Sequence, residues 1–402
     1  MLPANLRRKN NFSPGSHLRR TEELMTEVDW SQLPKELLHL ISEKLSNTEI
    51  YLIRFRSVCS TWRRSSSIPR HPHNYSTLKL PMFPNSCYYD YVRRISKQSI
   101  LLIKPPTTPN QQKTPRHPWL IKIGPNLNGK TQLWHPLDLN QTSHSCFPYP
   151  YNVIDFNKLS VLQLGDTFYI HHHDLRPNRS HRFIHYEKVV VATSEGGQPI
   201  ALLTYNYQSM PTIFHCGDDS WNNIPAAMSM PLYGDICVFK GRLCATDGDG
   251  RTVMIRPDSI VHLPANPVFT ISGADKLLVE CECELLLVDV YGFGRDDDHV
   301  RIDVFRLDEK EKKWVRLTDL GDRVLFLGGD RSFCVSASDL CVVNGNCVIY
   351  GRNYSYRENA TEFGKQMRIF HLDQGRVSLL SDYPDYFKLF WPPPEWILGM
   401  HS

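Results

Sequence analysis

The sequence lacks any run of ~18 uninterrupted apolar residues, the length a membrane-crossing helix needs, so no transmembrane helix is expected. Its first residues, MLPANLRRKNNFSPGSHLRR, lack the apolar core of a secretory signal. Excess charge is also missing. Lys and Arg number 46 against 42 Asp and Glu, a net +4, with no concentrated stripe of the kind nucleic-acid binding calls for. The 11 cysteines form no regular framework, and an odd count without a signal fits free thiols in a reducing compartment, cytosol or nucleus. There is no G-x-S-x-G elbow, no Gly-rich phosphate loop ahead of a helix and no H-E-x-x-H. Serine and histidine are plentiful, but no spacing brings a nucleophile to a base. Catalysis has no support at this level, although catalytic groups converge only in the fold.

What is present divides into two textures. The 402 residues, 41% hydrophobic and 22% charged, describe a globular chain of about two domains. Residues 1–27 are polar, with Arg7, Arg8, Lys9, Arg19 and Arg20, and are expected to be a disordered basic tail. From Val28 to Ser66 the pattern is helical. Pro34 suits a first helical turn and Glu36 the positive end of the helix dipole. Leu33, Leu37, Leu38, Leu40, Ile41 and Leu45 fill an arc of roughly 160° on the wheel. Ser46, Asn47 and Thr48 break this helix and can cap a second, through Ile50, Leu52, Ile53 and Phe55. A third places Val58 and Trp62 four apart on one face. Three helices in about 40 residues seldom bury enough surface to be stable alone, and the arc is wider than one small neighbour covers. Part of it is expected to meet another protein.

Leu33-Pro34-x-Glu36-Leu37-Leu38, then Ile41 and Leu45, then Val58-Cys59-x-x-Trp62, resembles an F-box. The resemblance implies a three-helix module that binds the Skp-type adaptor of SCF ubiquitin ligases. The adaptor surface it implies is Leu33, Pro34, Leu37, Leu38, Ile41, Leu45, Val58 and Trp62. Some of these must be the module's own core, and the sequence does not divide them.

Residues 67–118 read as a connector rich in Pro, His and Ser that holds a first strand near Ile100–Ile103. From Trp119 onward, short β-branched and aromatic runs recur between Gly, Pro, Asp and Asn, with no long helix after Ser66. Leu159–Leu164 and Thr167–His171 read as separate strands. Asp235–Ile255 reads strand, Lys-Gly turn, strand, Asp-Gly turn, strand, and Leu340–Tyr350 repeats the theme around Asn-Gly. Arg301–Leu317 and Arg368–Leu380 are a second kind of hairpin. The alternation resembles Kelch-type blades, and ~40–50 residues per blade gives roughly six, give or take one, over residues 119–398. One four-stranded sheet cannot bury both its faces, whereas radial stacking covers them. LGDRVLFLG (320–328), SFCVSASDL (332–340), NCVIY (346–350) and PPPEWI (392–397) resemble a plant F-box family whose C-terminal, Kelch-like region is of unknown function. The expected fold is a small all-α F-box over 28–66 followed by an all-β, Kelch-like propeller.

Four stretches suggest chemistry, and each has a plainer reading. In His171-His172-His173-Asp174 a strand places His171 and His173 on one face and His172 on the other, and no Cys or His stands nearby at a zinc-like spacing; a strand end is preferred. Cys281 and Cys283 lack a second pair and are expected to be buried structural thiols. Asp247-Gly248-Asp249-Gly250 departs from a calcium loop at Arg251 and Thr252 and reads as a hairpin turn. Asp296-Asp297-Asp298 reads as a loop tip, with a basic substrate as the alternative. No metal or cofactor is expected.

As the resemblance implies, the chain would be the non-catalytic substrate receptor of an SCF-type ligase, acting in nucleus or cytoplasm. Its F-box would hold the adaptor and, through it, cullin, RING subunit and conjugating enzyme; its propeller would hold an unknown target. No membrane partner is expected. Two alternatives stay open: an enzyme built on a propeller, and a nuclear nucleic-acid-binding protein using the basic tail.

Overall fold

Runs such as Lys188–Thr193 (KVVVAT) and Glu284–Tyr291 (ELLLVDVY) are apolar at consecutive positions. A strand turns successive side chains to opposite faces, so these sheets must be covered on both sides. The computed structural model describes residues 30–45, 49–66, 80–81, 91–105, 117–125, 131–137, 159–174, 188–193, 199–205, 211–224, 234–255, 261–265, 275–292, 299–351, 367–390 and 392–398. The predicted tail and the Asp296–Asp298 tip lie outside the described residues, as does most of the connector.

The described strands group into five radial blades. Blade 1 has the order β3-β2-β1-β4, from β1 (Tyr91–Lys104), β2 (Trp119–Pro125), β3 (Thr131–Trp134) and β4 (Ser160–Asp174). Blade 2 is the meander β5 (Lys188–Thr193), β6 (Pro199–Tyr205), β7 (Thr212–His215) and β8 (Asn222–Asn223). Blade 3 is β9 (Asp235–Phe239), β10 (Arg242–Thr246), β11 (Thr252–Ile255) and β12 (Val261–Ala265). Blade 4 is β13 (Asp275–Cys281), β14 (Glu284–Tyr291), β15 (Arg301–Asp308) and β16 (Lys313–Leu317). Blade 5 has the order β18-β17-β19-β20-β21, from β17 (Arg323–Leu327), β18 (Phe333–Ser336), β19 (Cys347–Gly351), β20 (Met367–His371) and β21 (Arg376–Leu379). The innermost strands β4, β5, β9, β13 and β18 touch in turn and close a ring. Five blades fall within the predicted range.

Each seam of the ring is an apolar cluster. Ile95 and Ile170 of blade 1 meet Val189 and Val191 of blade 2, while Val190 and Ala192 face Ile236 and Leu243 of blade 3. Cys244 and Met254 meet Leu278 and Leu287, and Leu277 and Val288 face Leu325 and Val348. Ile100 and Leu102 close the circle on Phe326 and Phe333. Buried ion pairs lie in or beside the seams: Lys122–Asp330 at 2.8 Å, Lys188–Asp235 at 2.6 Å and Lys276–Asp289 at 2.6 Å.

Several expectations are met and several corrected. The Lys240-Gly241 turn has φ of 49° and 73°, the left-handed pair that a two-residue hairpin needs. The predicted strand around Ile100–Ile103 is β1, and it sits inside blade 1 rather than ahead of the propeller. Leu159–Leu164 and Thr167–His171 belong to one strand, β4, where a bulge opposite Ile100 and Leu101 takes up the Gly165 region. Leu340–Tyr350 is no hairpin. Ala337–Leu340 is a helical turn, α4, capped by Ser336, whose hydroxyl accepts the Asp339 N–H, and β19 runs parallel to β17. Cys281 is bonded to Cys334 across β13 and β18 rather than being a free thiol, and Cys283 is an exposed turn residue. Asp247 spends its carboxylate on the N–H groups of Asp249 and Arg251, at 3.1 and 2.9 Å. The His171–Asp174 run forms the end of β4; its side chains lie outside the described residues.

Candidate functional site

The helical module comprises a 3-10 turn (Trp30–Gln32), α1 (Lys35–Leu45), α2 (Glu49–Ser57) and α3 (Ser60–Ser65). Pro34 stands one residue ahead of α1, and its carbonyl accepts the first helical bond from Leu38, at 3.0 Å. The structure divides the apolar arc that the sequence leaves whole. Leu38 is 0% exposed and Ser42 is buried beside it. Leu37, Leu40 and Ile41 stay 47%, 56% and 39% exposed, at the i, i+3, i+4 spacing of one helix face. Pro34 is exposed, and Leu33 and Leu45 are half-buried. Val58 is not on the third helix as predicted; it lies in the turn before α3, 55% exposed. Trp62 is half-buried, 4.6 Å from the Phe55 ring, and its indole N–H donates to the Trp30 carbonyl at 3.0 Å. Trp62 therefore serves the interior of the module as well as any partner. Trp30, 62% exposed, was not singled out by the sequence, since it precedes the periodic stretch.

Arg56 ties α2 to α3. Its guanidinium donates to the Ser66 carbonyl at 2.7 Å and to the Ser66 hydroxyl at 2.9 Å, while Arg63 Nε returns a bond to the Arg56 carbonyl at 3.2 Å. The module is not free of the propeller. Ile50 of α2 packs into a cluster with Leu101, Ile103, Trp119, Ile121 and Val161 of blade 1, and Arg54 donates to the Leu159 carbonyl.

Elsewhere burial shifts several of the described titratable groups. Burial, with Lys122 nearby, holds His135 down at about 3; the ring stacks 4.7 Å from that of Phe390. Burial raises Asp275, at the start of β13, to about 6. Burial pushes the Cys347 thiol up to about 12. Among the described residues no group of three His, Cys, Asp or Glu could hold a metal ion.

The comparisons agree with both halves of this description. An F-box domain model matches residues 30–73, and the KIB1-4 beta-propeller model matches residues 92–370, more than half the chain. This chain is an F-box protein of the KIB1-4 β-propeller family. F-box protein SKIP23 of Arabidopsis thaliana is 35% identical to it over 406 residues, covering 92% of this chain and 96% of that one. F-box protein At2g17036 of the same plant is 32% identical, over 93% of this chain and 96% of that one. F-box/kelch-repeat protein At2g24250 is 29% identical, over 82% and 84%. The F-box of this family member is thus the helical module described above, and its KIB1-4 propeller is the five-bladed ring.

Proposed function

We propose that this chain is a non-catalytic substrate receptor of an SCF-type ubiquitin ligase, working in nucleus or cytoplasm. Its F-box takes a Skp-type adaptor through Leu37, Leu40, Ile41 and Val58, with Pro34, Leu33, Leu45 and the edge of Trp62 around them; Leu38 holds that helix from within. Cullin, RING subunit and conjugating enzyme follow through the adaptor. The propeller carries the target. The accompanying division of the chain is a tail over 1–27, an F-box over 28–66 and a propeller that takes in β1 as well as 119–398. Its chemistry is placement: holding a target lysine near a ubiquitin thioester raises its effective concentration, a gain that can reach several orders of magnitude.

The observation that supports this reading is the apolar stripe Leu37–Leu40–Ile41, left uncovered on a helix whose opposite side is seated through the buried Leu38 and Ser42. The test is capture by purified Skp-type adaptor. Leu37→Asp with Ile41→Asp should abolish capture while the thermal unfolding of the propeller stays put. Capture undiminished by the pair would refute the reading.

A further inference from the structure

The strands of blade 1 do not match the ring they belong to. β1 has 14 residues and β4 has 15, whereas among the described residues no strand of the other four blades exceeds 8. At ~3.3 Å per residue the two long strands exceed the longest of the others by roughly 20 Å. The Ile100–Ile103 end of blade 1 has two apolar faces. One, with Ile100, Leu102 and Leu120, is covered by blade 5 and by the segment after α5 (Pro384–Phe387), which places Leu389 and Phe390 there. The other face, with Leu101, Ile103, Trp119, Ile121 and Val161, is met by two elements from opposite ends of the chain. They are α2 of the F-box, through Ile50, and the last described helix α6 (Glu395–Leu398), through Trp396 and Ile397.

Both elements are also held by directed bonds. Arg54 of α2 donates to the Leu159 carbonyl. The Trp396 indole of α6 donates to the His117 carbonyl at 3.0 Å, and the segment ahead of α6 is held in turn by the Trp119 indole, which donates to the Phe390 carbonyl at 2.9 Å. The Leu120 N–H donates to Leu389 at 2.7 Å. From these contacts we infer that α6 is a positioning wedge: it completes the seat of α2 on blade 1 and so fixes the F-box against the propeller. The spacing between adaptor surface and ring is then set by this seat, not by the chain between Ser66 and Leu80. The functional meaning rests on the adaptor reading given above; the geometry does not. For a receptor that acts by placement the difference matters. A module held only by the 13 residues between Ser66 and Leu80 would roam over roughly 20 Å, diluting the target lysine near the thioester.

The experiment uses the full chain with spin labels carried on noncanonical residues at Glu43 and Lys310, both exposed. Pulsed dipolar spectroscopy should give one narrow distance. A Gly-Ser segment inserted after Pro72 should leave it unchanged. Ile397→Asp should broaden the distribution about twofold or more, toward the reach of a flexible chain of that length. Arg54→Ala, outside the apolar cluster, reads the same seat from the F-box side and should broaden it less. A broad distribution in the parent chain overturns the wedge, as does broadening by the insertion or no broadening by either substitution in a chain whose propeller still melts cooperatively. Capture by purified Skp-type adaptor is measured in parallel. Loss of capture with a narrow distance sinks the adaptor reading alone, and retained capture with a broad parent distance sinks the wedge alone.

Discussion

Leu37 and Leu38 are neighbours on α1 with opposite fates, and that contrast can be weighed. Full burial of a leucine or isoleucine is worth about 1.5–3 kcal/mol. Leu37 and Ile41 stay 47% and 39% exposed in the isolated chain, so roughly half of that is available to a partner at each site. Truncating both to alanine should therefore weaken adaptor binding by about 1.5–2.5 kcal/mol, or ~10–70-fold in Kd. Folding stability should move little, because the solvent already sees these side chains. Leu38→Ala is the converse. Leu38 is 0% exposed, so its removal leaves a cavity costing about 2–5 kcal/mol, felt as a loss of the module's own stability. The assay is calorimetric titration with purified adaptor beside denaturant melts of each variant. A loss below ~3-fold for Leu37→Ala/Ile41→Ala, with helical content intact, would refute the assignment of this face, since even one half-exposed leucine carries more.

Three further outcomes are expected. Lys276 and Asp289 are both fully buried at 2.6 Å, so Lys276→Met, which strands the carboxylate, should cost about 3–5 kcal/mol in a urea melt, and adding Asp289→Leu should recover most of it. Burial above all, with Lys122 second, holds His135 at about 3 against an ordinary 6.5. The unfolded chain then takes the proton first, so stability present above 6.5 is lost as pH falls toward 3, and His135→Asn should flatten that slope in melts across the window. The Cys281–Cys334 bond closes a separation of 53 residues, for which chain entropy gives about 4 kcal/mol. Cys334→Ser should lower the unfolding free energy by up to that amount in non-reducing buffer and by nothing in reductant.

What could be read from the sequence was what local chemistry decides. The Lys240-Gly241 turn needs two left-handed residues, and the hairpin Arg301–Leu317 needs only alternation around a charged turn; both appear as predicted. Pro34 and Glu36 mark the start of α1 correctly to within a residue. What failed needed partners distant in the chain. Asn344-Gly345 looks like a hairpin turn, yet β19 pairs in parallel with β17; the Ser336-x-x-Asp339 cap that makes α4 was the overlooked local signal. Gly165-Asp166 looks like a break, but Asp166 accepts from Ser99 and Gln163 and pairs with Lys97, which keeps β4 continuous. Buried lysines in WLIKI and DKLLV were visible as charges inside apolar runs, but their carboxylate partners, Asp330 and Asp289, could not be matched without the fold. At the candidate site, helical periodicity located the apolar arc of α1. It could not say that Leu38 points inward and Leu37 outward, because that depends on where α2 and α3 sit.

The two ends of the chain carry its most specific motifs, the Leu33-Pro34 start and the closing PPPEWI, and the fold gives a reason for both in one place. The Ile100–Ile103 end of blade 1 has two apolar faces to cover. Blade 5 can reach only one of them, since it abuts blade 1 on that side alone. The other face needs cover that no neighbouring blade supplies, and Ile50 with Ile397 supplies it from either terminus. The F-box therefore finds its seat on this face of blade 1, beside the last described helix. On this argument the module and the propeller are parts of one structure, and removing residues 392–398 should disturb the F-box, more than 300 residues away in sequence, before it disturbs any seam among blades 2, 3 and 4.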